Sequence, residues 1–432
     1  MKGTITLACL LLLNTVFAQQ IFHNLPSFLE YAETKSISLK NSTIKEQQAK
    51  KAKIAAIVGV ADPQFMINGT FVNNTKLPVT VLPADVFGGQ SGTTKEVEMG
   101  TSYVTSFQPN LDIKLINFEG LKNLKLSKIN IEITETDSKL IKKNFYENIA
   151  IAYYNIVQLQ EQQKSTQKNI VVSDSLLKIV QNKYNAGLVK QQDVNDSKVN
   201  LLTIQENEKQ ITFLIQQNYL SLKILADIPE NEAIVIDEKI DDLPFSKPEI
   251  EKNNLLVSSF LLKEQYAMND YGKNKQSRLP TLSLVKNNSF NQYNQNFTIT
   301  GGNWVPSSYI GLKLSIPMPS SKTISNKSNA MYNYELAQQN SNQATIKADL
   351  DYQKMDVEWE KAQSLVKNYT EIFVLLKDTY TKNKNLYTEG LQSIDRTLNS
   401  LNTLVNAEYN VINSKVNVLL SQAKIKINNE IK

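Results

Sequence analysis

The sequence predicts a mainly α protein with a smaller β part: long antiparallel helices of coiled-coil type, joined twice over to pairs of strands. Three observations carry this. Apolar residues recur at three-four spacing over two stretches much longer than an ordinary globular helix of about 11 to 12 residues. Each stretch stops at the same turn, Tyr184-Asn185-Ala186-Gly187-Leu188 and Tyr387-Thr388-Glu389-Gly390-Leu391, where a glycine supplies the left-handed backbone that ends a helix. Each is preceded by segments whose apolar residues alternate, as strands require.

The first element is an address. Lys2 precedes an apolar run from Ile5 to Leu13, and Val16-Phe17-Ala18 places small residues where a signal peptidase cuts, so residues 1–18 read as a signal peptide cleaved near Ala18. Cys9 lies inside the run and leaves with it. The mature chain, from Gln19, is thereby exported across the inner membrane. Beyond the signal nothing approaches the roughly 20 apolar residues of a spanning helix, so any insertion into a membrane has to use strands closed into a barrel.

A first repeat occupies residues 19–226. It reads as a helix from Ser27 to Ala61, a strand from Phe65 to Val72, a polar Gly-rich loop over about 75–100, and a strand carrying Tyr103, Thr105 and Phe107. That strand continues past Pro109 as Leu111, Ile113 and Leu115. A long helix follows from Phe118 to Tyr184, with a heptad seam through Ile149, Ile156, Gln163, Ser173 and Val180. At 1.5 Å per residue it would reach about 100 Å. After the turn a second helix, Lys190 to Ala226, folds back on the first. Residues 227–248 form a linker with three prolines, a short strand at Ala233-Ile234-Val235-Ile236 and an acidic patch.

The second repeat, residues 249–432, copies this order. It has a helix from Glu249 to Tyr271, a strand from Leu282 to Phe290, an Asn-rich loop over about 291–302, and a strand through Ile310, Leu312, Leu314 and Ile316. Its long seam runs through Tyr352, Trp359, Val366, Phe373, Tyr380 and Tyr387, and its return helix shows Thr397, Leu404, Val411 and Val418. Polar residues such as Gln163, Ser173 and Asn383 interrupt both seams, so each helix pair has too narrow an apolar stripe for a core of its own. Four strands cannot close a barrel either. They form a small sheet or are pooled by several chains, and the aromatic-tipped alternation favours pooling.

Composition excludes most chemistry. The chain has 47 Lys+Arg against 42 Asp+Glu, one histidine and one cysteine, which leaves no vocabulary for zinc sites, Ser-His or Cys-His pairs, or imidazole acid/base work. Arg278 and Arg396 are the only arginines, so the +5 net charge is carried by lysine and bidentate reading of phosphates or bases is nearly absent. Gly88-Gly89-Gln90-Ser91-Gly92 lacks the Gly-Lys-Ser/Thr of a phosphate loop. No catalytic residue, metal, cofactor or nucleic-acid partner is expected.

Asn185-Ala186-Gly187-Leu188-Val189 followed by Asp193-Val194, the duplicated turn, and the strand exits Ile113-Lys114-Leu115 and Leu312-Lys313-Leu314 resemble the TolC family of outer-membrane efflux and secretion channels. The resemblance covers nearly the whole mature chain. It implies a homotrimer in which four strands per chain build a twelve-stranded transmembrane β-barrel and the helices build an α-barrel tunnel across the periplasm of a Gram-negative-type bacterium. The implied function is the exit duct of a tripartite efflux pump or type I secretion system. Its partners would be a periplasmic membrane-fusion adaptor, an inner-membrane pump of RND, ABC or MFS type, and outer-membrane lipid.

The same resemblance assigns residues. Gly187, Leu188, Gly390 and Leu391 would form the periplasmic tip that meets the adaptor, and Asp193 and Tyr387 a latch that holds it closed. At the two positions six and nine residues after Gly390, where the best-known member carries pore aspartates, this chain has Arg396 and Asn399; with Asp196 and Asp395 they would line the constriction. The residues alone leave one rival open, a periplasmic or surface coiled-coil structural protein with no channel, which would have no need of four alternating strands.

Overall fold

The computed structural model describes residues 20–240, 246–298 and 303–432. The signal peptide and the Asp241-Asp242 part of the acidic patch lie outside the described residues. The elements are β1 (Gln20–Phe22), α1 (Leu25–Lys35), α2 (Ile37–Ala61), β2 (Gln64–Asn73), β3 (Val79–Pro83), β4 (Thr94–Glu98), β5 (Tyr103–Ile116), α3 (Phe118–Asn185) and α4 (Gln191–Ala226). After them come β6 (Ile234–Ile236), α5 (Leu255–Gln276), β7 (Thr281–Asn294), β8 (Trp304–Ser315), α6 (Ser321–Thr388) and α7 (Ile394–Glu430). The chain is a mainly helical protein with a few strands, as the sequence predicts.

One compact unit comprises residues 45–135 and 259–342. Its centre is an antiparallel sheet in the order β2-β5-β7-β8. Register sorts the side chains onto two unlike faces, because neighbours across an antiparallel pair share a face. Phe65, Ile67 and Phe71 of β2 stand opposite Leu111, Pro109 and Thr105 of β5, and Leu284 and Leu282 of β7 stand opposite Leu312 and Leu314 of β8. This is the apolar face. On the other, Asn110 pairs with Asn287 and Ser106 with Asn291, their side chains hydrogen-bonded, while the Lys313 ammonium stands 3.2 Å from the Asp112 carboxylate.

Asn117 locks the junction between sheet and helix. Its amide donates to the carbonyls of Gly59 and Val60 at 3.2 and 3.1 Å, and its side-chain oxygen accepts from the Gly120 N–H at 2.9 Å. A Cβ on Gly120 would fall 2.4 Å from the Asn117 amide nitrogen, so glycine is required there.

The other unit takes in the chain up to Ile44 with Thr136–Ser258 and Gln343–Lys432. Here β1 and β6 pair in parallel, and Phe22 and Ile236 enter a core with Phe28, Ile149, Tyr153, Ile156, Leu222, Ile412 and Leu419. The predicted seams are buried in part in this unit: Ile149, Ile156, Thr166, Ser173 and Val180 on α3, and Trp359, Ala362, Tyr380 and Tyr387 on α6, whereas Gln163, Val366 and Phe373 are half-buried and Tyr352 is exposed.

Three local expectations are corrected. The helix predicted as continuous from Ser27 to Ala61 breaks at Ser36, whose ψ of 121° is extended, and the freed N–H of Ile37 donates to Asp227 at 2.8 Å. The helix predicted from Glu249 starts only at Leu255, because asparagine side chains hold the preceding segment extended: Asn429 bonds both Glu249 and Glu251, and Asn253 bonds the carbonyls of Asn428 and Ile431. The loop expected over about 75–100 contains a hairpin, β3 against β4. Alternating Val79, Val81 and Val97 favour extended chain, and Gly88, with φ of 73°, ends a short 3-10 turn between the strands.

Candidate functional site

The two Gly-Leu turns are built by the same hydrogen bonds. At the end of α3 the Gly187 N–H donates to the Tyr184 carbonyl at 2.8 Å and the Leu188 N–H to the Lys183 carbonyl at 2.9 Å. At the end of α6 Gly390 donates to Tyr387 at 3.1 Å and Leu391 to Leu386 at 2.8 Å. Both are Schellman caps, which satisfy the last carbonyls of a helix and need a left-handed residue; φ is 73° at Gly187 and 82° at Gly390. Leu188 and Leu391 stand out from these caps, each 71% exposed. Two large apolar side chains presented alike on two matching turns are a surface suited to a partner.

Behind the turns one core joins both repeats. Leu176 and Val180 of α3 and Val194 of α4 pack with Tyr380 and Tyr387 of α6 and Ile394, Leu398 and Leu401 of α7. The two turns are therefore held side by side rather than being free to move apart independently.

Asp193 caps α4: its carboxylate accepts from the Lys190 N–H at 2.9 Å. Tyr387 is 3% exposed, and its hydroxyl has no hydrogen-bond partner among the described residues. Burial, and after it the nearby Asp193 charge, push the phenol up to about 12. The structure thus brings the two expected latch residues near one another without a hydrogen bond between them. Of the expected constriction residues, Arg396, Asn399 and Asp395 are exposed in the first turns of α7 and Asp196 is half-buried on α4. Arg396 makes no ion pair among the described residues.

Sequence reasoning missed Lys183. Its ammonium donates to the Tyr387 carbonyl at 2.5 Å and stands 4.6 Å from the centre of the Tyr387 ring, bridging the end of α3 to the end of α6. The available signal was a lysine in the last turn of a helix, where cations complement the helix dipole. That signal explains binding to α3's own end and not to a neighbour's. No cluster of His, Cys, Asp and Glu suited to a metal occurs among the described residues.

A duplicated helix-and-strand repeat, a sheet with one apolar and one amide-lined face, and paired Gly-Leu turns define the fold class, and known proteins share it. The family model described as outer membrane efflux protein matches residues 83–226. VceC of Vibrio cholerae, an outer membrane protein, is similar at 14% identity with a TM-score of 0.75, over 94% of this chain and 95% of that one. The CmeC outer membrane channel of Campylobacter jejuni gives 18% identity and a TM-score of 0.69, over 94% and 85%. The open-state MtrE outer membrane channel of Neisseria gonorrhoeae gives 12% and 0.60, over 94% and 88%. No curated protein matches the sequence. The chain has the fold of the TolC-family channels, and the resemblance carried by its turn motifs is borne out.

Proposed function

We propose that this chain is the outer-membrane exit duct of a tripartite efflux pump or a type I secretion system, acting as a homotrimer and passing substrates delivered by an inner-membrane pump through an adaptor. One observation carries the reading. The four-stranded sheet has an apolar face, a hydrogen-bonding face and two open edges, β2 and β8, which is an arc of a barrel and not a closed structure. Three arcs joined β8 to β2 would abolish every edge and give twelve strands with lipid outside and amides inside.

The helices support the same assembly. Exposed apolar residues recur along α4, at Val199, Leu202, Phe213, Leu220 and Ile224, and along α6, at Ile346, Leu350, Val357, Ile372 and Leu375. Such stripes ask for neighbouring helices. In this reading Leu188 and Leu391 meet the adaptor at the tip, Asp193 and Tyr387 latch it, and Arg396, Asn399, Asp196 and Asp395 surround the constriction. The protein does no covalent chemistry; it opens and closes, a two-state equilibrium biased by adaptor contact.

The test is fractionation followed by mass. The duct should sediment with outer membranes, need detergent for release and run as a trimer by native mass spectrometry. Release by osmotic shock as a monomer would instead establish the periplasmic coiled-coil rod.

A further inference from the structure

On the apolar face of the sheet, Gly69 of β2 stands opposite Phe107 of β5, Phe107 opposite Phe290 of β7, and Phe290 opposite Pro306 of β8. The next row, toward the 74–102 connection, is Phe71, Thr105, Gln292 and Trp304. A Cβ built on Gly69 meets nothing within 4 Å, so the missing side chain leaves open space in a face otherwise filled by rings. The result is a groove of about 510 Å³ lined by Gly69, Phe71, Thr105, Phe107, Phe290 and Trp304. One row further on, Asn73, Tyr103 and Asn294 stand opposite one another, and Phe297 packs edge-on against Phe71 at 4.7 Å. An apolar slot is thus topped by a row of amides and a phenol.

We infer that this groove binds one acyl chain of a membrane phospholipid, with the lipid's polar head at the Asn73, Tyr103 and Asn294 row; the inference rests on the reading of the sheet as part of a membrane barrel. The arrangement fits an amphiphile in polarity order, aromatic walls first and uncharged hydrogen-bonding groups above them. Other occupants fit worse. A peptide strand would add in line with a sheet edge, where backbone donors are free, whereas the groove is a surface of side chains on the face of the sheet. A second copy pairing through β2 or β8 likewise covers edges and not this face. A strand-interior glycine costs stability unless something approaches it closely, and the groove supplies that reason at Gly69.

The test uses the two tryptophans. Trp304 forms a wall of the groove, while Trp359 is buried in the helical core and gives a constant background. Purified full-length protein in detergent micelles is titrated with phosphatidylethanolamine carrying brominated acyl chains, which quench indole fluorescence on contact. Wild type should show a quenching step that saturates at a low lipid mole fraction, followed by a slope proportional to mole fraction. Gly69→Leu puts a branched side chain into the slot at a position where its Cβ meets nothing within 4 Å, and should lose the saturating step while keeping the slope. Gly311→Leu, where an added Cβ also meets nothing within 4 Å but on the amide-lined face, should behave as wild type. A saturating step that persists in Gly69→Leu, or a wild type that shows only the proportional slope, overturns the groove and leaves the barrel standing. No quenching of any kind would overturn the barrel reading as well.

Discussion

Lys183 and Tyr387, on matching last turns of the two long helices, are joined twice: the ammonium donates to the Tyr387 carbonyl at 2.5 Å and faces its ring at 4.6 Å. That carbonyl also accepts from Gly390, so one oxygen ties the cap of α6 to the end of α3. Lys183→Met keeps the apolar stem and removes both interactions. It should cost about 2–4 kcal/mol, the combined scale of a charge-assisted hydrogen bond and a partly exposed cation–π contact. In planar bilayers the variant should conduct more than wild type, with Lys183→Arg intermediate; equal conductance in all three would show that this pair does not hold the tip.

The Tyr387 hydroxyl is buried without a partner among the described residues, which sets the sign of a second prediction. An unsatisfied buried hydroxyl is a cost, so Tyr387→Phe should leave the denaturation midpoint unchanged or raise it by up to about 1 kcal/mol. A drop of more than that would mean that the hydroxyl is bonded in the assembled channel. If Asp193 is its partner there, Asp193→Asn and the double variant should lower the midpoint no further than Tyr387→Phe alone.

Gly187 and Gly390 are open on the side where a Cβ would sit, so their substitution tests backbone conformation and not packing. Replacing either by valine should cost about 1–2 kcal/mol through the left-handed φ alone, and asparagine should cost less. Amide exchange should speed up at Gly187, Leu188, Gly390 and Leu391 while strand amides stay protected. Loss of membrane insertion in these variants would contradict the assignment of the turns to a tip.

Where local rules act alone, the sequence was readable. Gly187 and Gly390 announced the caps, and alternation at Phe65, Ile67, Leu111 and Ile113 announced β2 and β5 to within a residue or two, because side-chain period and turn chemistry are properties of the chain itself; β7 runs on to Asn294, past the expected end at Phe290, and β8 starts at Trp304, ahead of the expected Ile310. What stayed hidden depends on distant partners. Ser36 breaks a helix that periodicity continues, since Asp227 is there to take the Ile37 N–H. Glu249 looks like a helix start, but Asn428 and Asn429 hold that segment extended. Lys183 gave a helix-end signal that could not name Tyr387 as its target. The 75–100 loop hid a hairpin because its glycines outweighed three alternating valines.

Two carboxylates of the helical unit, Glu33 partly exposed and Glu238 buried, should give opposite pH responses. Burial would raise Glu33, but hydrogen bonds from Lys142 and Tyr146, at 2.6 and 2.5 Å, outweigh it and hold the carboxyl below its ordinary range. Its contribution is present above the unfolded value of about 4.3 and is lost as pH falls through the folded value, so Glu33→Gln should flatten the acid limb of the stability profile. Glu238 is raised by burial, which outweighs the long hydrogen bond from the Tyr154 hydroxyl at 3.5 Å. Its folded state prefers the proton, so stability falls as pH rises from the unfolded value through the folded one. Glu238→Gln should therefore be more stable than wild type at pH 7, by about 1 kcal/mol, and no more stable near pH 4. Denaturant midpoints at the two pH values decide; an equal shift at both would mean that the carboxyl is not titrating.

Arg396 carries the last prediction because it stands where some members of the resembled family have a pore aspartate. It is exposed in the first turn of α7, beside exposed Asp395, and has no ion pair among the described residues. A cation at a helix N-terminus is opposed by the dipole, so the fold itself gives no reason for an arginine there. If three copies converge at the tip, three guanidinium groups approach the axis and repel, and the half-buried Asp196 and the capping Asp193 in the first turns of α4 are acidic groups that could offset them. Such a ring lacks the clustered negative charge that draws in multivalent cations. Wild type should therefore be weakly cation-selective or anion-selective and resist block by trivalent cations, and Arg396→Asp should shift the reversal potential toward cations and restore block. Arg396→Gln should lie between them, because it removes the charge without replacing it. If neither substitution moves the reversal potential or the block, Arg396 points away from the axis and the constriction is set by other residues.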